Sequence, residues 1–470
     1  MTTYAFETIT AAEARTIQSG DIVTFAATPA RDVTVLYVGT PQATESITVS
    51  LAGRSVVFSP AVAAMSQQGQ LKFTDGSTIY IGDTGNNSGS GGSARDALFG
   101  GPGDDTLTGG GGNDLMQGND GNDLLQTRPS GGNNIFYGGR GNDTIQAWAS
   151  SGATQSFAQG NIGDDSIEGS YGDDTLLGGQ GNDRIDGALY GNDFLNGNLG
   201  DDSLRGGDGG DLLFGEDGAD TLDGRNGADT VHGNAGDDYI YGGDGPSLIF
   251  GDDGNDTAGG GYGDTVDGGA GNDHLGTSGP LSANGGLLYG RDGADTLTAG
   301  GAGGTLDGGA GDDLLDIIGS RGSHTIYGGA GDDTINSSGN VELISGGEGA
   351  DRFTFRNQLV RQTRDYDVKV SDWQSSDEMH FSMGGGTSSN YLEATAANYD
   401  EAQTIANNWI NTGYTYVAVE ISGATILFVN EWDRQPPSAS DPQGIPRPGA
   451  ENAIVLTGAT LADIDYRNLD

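Results

Sequence analysis

Aspartate returns in this chain at a dominant step of nine residues. In the stretch GGQGNDRIDG, Gly178 to Gly187, three glycines precede Asp183 and one apolar residue, Ile185, follows it. The same place is held by Asp105, Asp114, Asp123, Asp143, Asp165, Asp174, Asp193, Asp202, Asp211 and Asp220. It continues through Asp229, Asp238, Asp256, Asp264, Asp273, Asp295, Asp313, Asp333 and Asp351. Carboxylates and the bare carbonyls of glycine turns are hard oxygen donors. Several of them converging on one gap suit Ca²⁺, which takes six to eight oxygens in flexible geometry, better than Mg²⁺. Zn²⁺ would draw on Cys or His, and the chain has no Cys and 4 His. Carboxylates this frequent make any one pair uninformative about glycosidase chemistry.

The elements that must hold these carboxylates follow from the same period. An apolar residue recurs two places after each aspartate, as at Leu107, Met116, Leu125, Ile145, Ile167, Leu176 and Ile185. Nine residues fit a helix poorly, and glycine at this density disfavours one by about 1 kcal/mol per residue. A short strand turning one side chain inward, then a glycine turn, fits the pattern. A single unit cannot bury its one apolar residue alone, so units must stack into a coil of strands. Stacking at about 4.8 Å lines the carboxylates in columns, where neighbours repel by roughly 3–4 kcal/mol at an effective dielectric near 20. Cations between the turns remove that repulsion, and the number of sites implies on the order of 10–20 Ca²⁺.

The totals agree with a chain that needs help to fold. Gly is 88 of 470 residues, hydrophobic residues are 34%, and the net charge is −47. Such a balance by itself reads as disorder, because little apolar burial offsets the chain entropy. The sign of the charge argues against nucleic acid and anionic membranes as partners. No apolar run is long enough for a membrane span, and the N-terminus lacks the pattern of a secretory signal peptide.

The units GGQGNDRID, GGAGDDTIN and GGAGNDHLG resemble the nonapeptide G-G-x-G-x-D-x-U-x of the RTX proteins, position by position. That resemblance implies an all-β fold: a right-handed parallel β-roll with two nonapeptides per turn and Ca²⁺ between adjacent turns on each side. About 27 units then make some 13 turns. Several units depart from the pattern. QTRPSGGNNIF, GTSGPLSANGG and GSRGSHTI are longer and lose the aspartate, and Gly245-Pro246-Ser247 loses it at constant length. These gaps are expected to hold calcium weakly or not at all.

Three segments follow. Residues 1–84 are glycine-poor and strand-like, with a short helix near residues 12–18, and read as a cap over the open end of the roll. Residues 85–355 are the roll. Residues 356–470 form a C-terminal cap, with strand-like VAVEISG and ATILFVNEW, a helix-like AANYDEAQTIANNWI and a Pro-rich loop. Within it, VSDWQSSDEMHFS and AIVLTGATLADIDYRNLD are similar to the end of serralysin-type RTX exoproteins. That likeness implies export by a type I secretion machinery reading the uncleaved C-terminus.

Signatures of catalysis do not stand out. The sequence has no H-E-x-x-H, no G-x-S-x-G elbow and no Walker A, its only lysines being Lys72 and Lys369. One basic cluster does: Arg352, Arg356, Arg361, Arg364 and Lys369 hold five of the 20 basic residues. It reads as a solvated surface or as a docking face for something acidic, either another copy or an anionic polysaccharide. The expectation is a secreted, non-enzymatic calcium-binding protein of the cell surface or extracellular matrix that self-assembles. Exported toxin, bacteriocin or adhesin, and polysaccharide-binding accessory to an exoenzyme, are the alternatives.

Overall fold

The structure is a computed structural model. It describes residues 2–18, 21–26, 29–40, 43–127, 131–148, 154–261, 263–277, 286–300, 303–318, 323–337, 341–355, 368–374, 376–381, 391–395, 404, 406, 416–421, 424–429 and 452–457. The chain divides into two compact units, Met1–Ser247 and Leu248–Asp470.

The first unit opens with a small domain. Strands Thr3–Ala5, Ile22–Phe25 and Leu71–Phe73 pair in parallel, and Thr34–Thr40, Ala43–Leu51 and Arg54–Phe58 pair antiparallel. Helix Ala11–Thr16 starts at a capping box between Thr10 and Glu13. Phe25 stacks on Phe6 and Phe73, with centroids 4.8 and 4.3 Å apart. This core continues into Ile79, Ile81, Ala97 and Phe99, the outward side of the first roll strands. A second helix, Ala61–Gln67, has no counterpart in the sequence reading and lies against the first of those strands. Its Ser66 Oγ accepts from the Ile81 N–H at 2.8 Å and lies 3.0 Å from the Ile81 carbonyl. The outer edge of strand Ile79–Ile81 is covered there.

From Ile79 onward the chain alternates between two parallel sheets. Sheet I contains strands such as Leu115–Asp120, Thr175–Gln180, Phe194–Leu199 and Thr230–Ala235. Sheet II contains shorter ones, among them Thr106–Thr108, Ser166–Glu168, Arg184–Asp186 and Tyr239–Tyr241. Successive turns are in register, Leu176 beside Leu195 and Ile167 beside Ile185. At least one residue per strand faces inward, and Met116, Phe136, Ile145, Leu176, Ile185, Leu195 and Leu213 are fully buried. Each such side chain contributes about 1.5–3 kcal/mol of transfer free energy. The small Ala158 also takes this place, as do Leu98 and, in the second unit, Leu288 and Ile344.

The second unit has the same architecture. Leu248–Asp253, Thr265–Ala270, Leu287–Asp292, Gly304–Ala310, Ser323–Ala330 and Val341–Glu348 run in sheet I, and sheet II ends at Glu378–Phe381. Val368–Val370 pairs with Val341–Glu348 on one side and with Asn452–Thr457 on the other. The latter joins Ala424–Val429 and Tyr416–Ile421 in antiparallel order.

The fold is the parallel β-roll that the repeats imply. It carries more turns than a count of intact units gives, with 16 strands in sheet II over the two units. Units that lost the aspartate still pair, and pairing begins before residue 85 and passes residue 355. Most of the helix-like segment near residue 400, the Pro-rich loop and the residues after 457 lie outside the described residues.

Candidate metal sites

Two kinds of turn join the sheets. One edge, here the continuous edge, carries the turns from sheet I to sheet II. The other, the interrupted edge, carries the turns back. A count at period nine merges them, whereas the structure separates them.

Asp105, Asp123, Asp143, Asp165, Asp183, Asp202, Asp220 and Asp238 stand one per turn on the continuous edge of the first unit. Asp256, Asp273, Asp295, Asp313, Asp333 and Asp351 do so in the second. The interrupted edge has Asp114, Asp174, Asp193, Asp211 and Asp229 in the first unit, with Asn134, Ser156 and Ser247 in the same column. In the second unit it has Asp264, and then Gly286, Gly304 and His324 where a carboxylate would stand. All of the candidate aspartates are buried.

The columns are tied by hydrogen bonds from backbone to carboxylate. The N–H of Asp165 donates to Oδ1 of Asp183 at 2.8 Å, and that of Asp202 to Oδ1 of Asp220 at 2.7 Å. The pattern recurs from Asp273 to Asp295 and from Asp295 to Asp313, both at 2.8 Å. Each carboxylate therefore spends one oxygen on its neighbouring turn. The other oxygen, Oδ2, is buried without a hydrogen-bond partner in Asp105, Asp114, Asp123, Asp143, Asp165, Asp183, Asp202, Asp211 and Asp220. The same holds for Asp273, Asp295, Asp313, Asp333 and Asp351. A buried charged oxygen without a partner is costly.

The glycines explain how these oxygens come together. A methyl placed on Gly178 would lie 2.2 Å from Asp183 Oδ2 and 2.7 Å from the carbonyl of Gly197 in the next turn. The same pair of oxygens meets Gly138, as Asp143 Oδ2 at 2.3 Å and Gly160 O at 2.7 Å. Gly179, with φ +130°, adopts the left-handed backbone that lets the turn close. The result is a repeated cradle of one carboxylate oxygen and one carbonyl on successive turns.

Among the described residues no three His, Cys, Asp or Glu side chains converge on one point. Carbonyls must therefore complete any coordination shell, which is the donor set of a hard cation. Electrostatics agree. Burial pushes the carboxyls of Asp105, Asp143 and Asp193 up to about 8, and those of Asp183, Asp202 and Asp313 up to about 7. Neighbouring aspartates add to the rise, and the donated N–H opposes it.

Some candidates differ from the rest. Oδ2 of Asp174 accepts from the N–H of Ser170 at 2.5 Å and from its hydroxyl at 3.0 Å, so it is already engaged. Oδ2 of Asp264 is approached by the Gly261 N–H. Two column members escaped the sequence reading. Asp96 heads the interrupted edge, its N–H donating to Asp114 Oδ1 at 2.8 Å, and Asp377 extends the continuous edge, accepting from the Asp351 N–H at 3.2 Å. Asp96 stands nine residues before Asp105, a spacing signal masked by Ala94 in place of the motif's third glycine. Of the basic cluster, Arg356, Arg361 and Arg364 lie outside the described residues. Arg352 is an exposed member of strand Arg352–Phe355, and Lys369 lies in strand Val368–Val370.

Stacked glycine turns presenting buried carboxylates to one another define a metal-binding β-solenoid. The family model described as RTX calcium-binding nonapeptide repeat (4 copies) matches residues 90–125, 130–151, 159–189, 188–222, 214–249, 223–258, 258–275 and 318–353. Over these residues the chain carries RTX calcium-binding nonapeptide repeats, and these repeats bind multiple Ca²⁺ ions. The matches end at residue 353, so the serralysin-type likeness of the C-terminal region stays a proposal. No curated protein matches the chain. No helix among the described residues is long and apolar enough to cross a membrane.

Proposed function

We propose that the protein is exported and acts outside the cell as a non-enzymatic structural component, a surface layer, filament or matrix scaffold that forms once calcium is met. The observation carrying this reading is the continuous edge, where turn after turn, from Asp105 to Asp220 and from Asp273 to Asp351, presents a buried carboxylate oxygen with no hydrogen-bond partner among the described residues. Calcium supplies the positive charge that lets such turns close. The chain's own part is to hold one Oδ1 on the neighbouring N–H, present Oδ2 with a carbonyl, and bury one apolar residue per strand. At low calcium the −47 chain repels itself, which suits passage through a type I secretion channel. At high calcium, binding free energy becomes folding free energy. Electron microscopy of the purified protein with and without calcium tests the assembly: ordered polymers only with calcium support it, and single particles in both conditions overturn it.

A second reading, binding of an anionic polysaccharide, is favoured by one surface. Arg205 and Arg225, ion-paired with Asp186 and Asp223, line a cleft on the sheet II side of the first unit together with Leu189, Tyr241, Asp208 and Asp244, and Tyr239 is exposed beside it. Arginine beside tyrosine suits carboxylated sugar rings. Retention on an alginate or pectate column that drops in an Arg205→Gln, Arg225→Gln variant would support it. Equal passage of both proteins through the column overturns it.

A further inference from the structure

The first turns of the roll differ from the later ones in what faces their carbonyls. On the interrupted edge, the turn ending at Asp114 is followed by one ending at Asn134. Asn134 Oδ1 accepts from the Asp114 N–H at 2.8 Å, as a carboxylate would, but its Nδ2 donates to the Gly132 carbonyl at 2.7 Å. That amide brings no charge to the gap and consumes a carbonyl. Into the same gap reaches Arg31 of the N-terminal domain. Its Nη1 donates to the carbonyl of Asn113 at 3.2 Å and to that of Asn133 at 3.0 Å, one from each of the two turns. Oδ2 of Asp114 is buried there without a hydrogen-bond partner, and Asp114 feels the charge of Arg31. The arginine is held in place by its own domain: the preceding Ala30 N–H donates to the buried Ser77 Oγ at 2.8 Å.

The continuous edge repeats this arrangement at its start. Asn87 heads the column before Asp105, and its N–H donates to Asp105 Oδ1 at 2.6 Å. The Tyr37 hydroxyl, from the same N-terminal domain, lies 3.3 Å from the Phe99 carbonyl and 3.5 Å from that of Gly82. On both edges, then, a neutral asparagine in the column goes with a donor from the N-terminal domain that faces backbone carbonyls of two adjacent turns.

We propose that the Arg31 guanidinium stands in for calcium between the turns of Asp114 and Asn134, so that this gap is a site for a tethered cation and not for the ion. A guanidinium is permanently charged and offers several N–H donors. It bridges two turns as a divalent ion would, without dependence on external calcium. The N-terminal end of the roll is built before the ion arrives and gives the following turns a strand to pair with.

Two measurements on the full-length chain test this. The first is calcium bound per chain, by elemental analysis after equilibrium dialysis. Asn134→Asp alone should bind no more ions than the parent, because Arg31 still fills the gap, whereas Arg31→Met with Asn134→Asp should bind one more. The second is hydrogen exchange in excess chelator at the amides of Leu115 and Ile135, which donate to Asp96 O and Asp114 O. Loss of charge-assisted hydrogen bonds in Arg31→Met should speed exchange there by about tenfold to a hundredfold, and Arg31→Lys should restore part of it. An extra ion in Asn134→Asp, no extra ion in the double variant, or unchanged exchange in Arg31→Met would each overturn the proposal.

Discussion

The backbone N–H of Asp183 donates to Oδ1 of Asp202, one turn further on, at 2.7 Å. This bond fixes half of each carboxylate to the protein and leaves the other half to a cation. It also separates two roles that a single substitution can pull apart.

Asp183→Asn keeps an oxygen for the Asp165 N–H but removes the charge at Oδ2. We expect it to lower calcium binding at the adjacent gaps and to cost about 2 kcal/mol or more of stability in calcium. Asp174→Asn, whose Oδ2 is already engaged by Ser170, should cost less than about 1 kcal/mol. Calcium titrations monitored by circular dichroism compare the two, and equal losses would show that engagement by Ser170 is irrelevant.

Gly178 has no left-handed φ, so backbone strain does not require glycine there. Space does, because an added Cβ would sit 2.2 Å from Asp183 Oδ2. Gly178→Ala is therefore expected to weaken calcium affinity at that gap by about tenfold or more, with a much smaller effect on the unfolded chain. Isothermal titration of the variant reads this directly.

Acid should partly replace calcium. The buried carboxyls have folded values near 6–8, above the ordinary 3.8. The metal-free roll thus holds more protons than the unfolded chain between those limits. Its stability is greatest below the ordinary value and falls as pH rises through about 6–8. In chelator, β-structure should be retained near pH 5 and lost towards pH 8.5. In calcium the dependence reverses, since protons compete for the same oxygens. A chelator-treated sample that gains structure on going from pH 5 to pH 8.5 would contradict this.

The two edges should load unequally. Anomalous scattering from crystals grown in calcium should show peaks along the continuous edge of both units. On the interrupted edge, peaks should flank Asp193 and Asp211 but be missing beside Gly286, Gly304 and His324. Full-strength peaks at those last three would refute the assignment. His324 is buried with neither ring nitrogen hydrogen-bonded, and burial pushes its pKa down, so it stays neutral where a carboxylate would be charged.

Much of this was legible in the sequence, because the repeat encodes its own environment. An aspartate two places before an inward residue is buried wherever units stack, as Asp183 and Ile185 show. What period alone could not give was which edge an aspartate joins. Edge membership alternates along the chain, and only strand pairing shows that Asn134, Ser156, Ser247, Gly286, Gly304 and His324 share one side. Asp377 was hidden by its distance of 26 residues from Asp351. Helix Ala61–Gln67 was hidden by its length of 7 residues, too short for a clear apolar period. Arg31 gave no signal, since its role depends on carbonyls of Asn113 and Asn133, far along the chain.

The clasp of Ser66 on Ile81 bears on any higher-order assembly. A parallel roll is an open-ended template, and an uncovered terminal strand would recruit the next molecule by backbone pairing without limit. With the outward N–H and carbonyl of Ile81 engaged by the Ser66 hydroxyl, a strand from another copy cannot pair at that residue. Copies that associate must therefore do so through other surfaces, and head-to-tail stacking by backbone pairing at Ile81 is excluded.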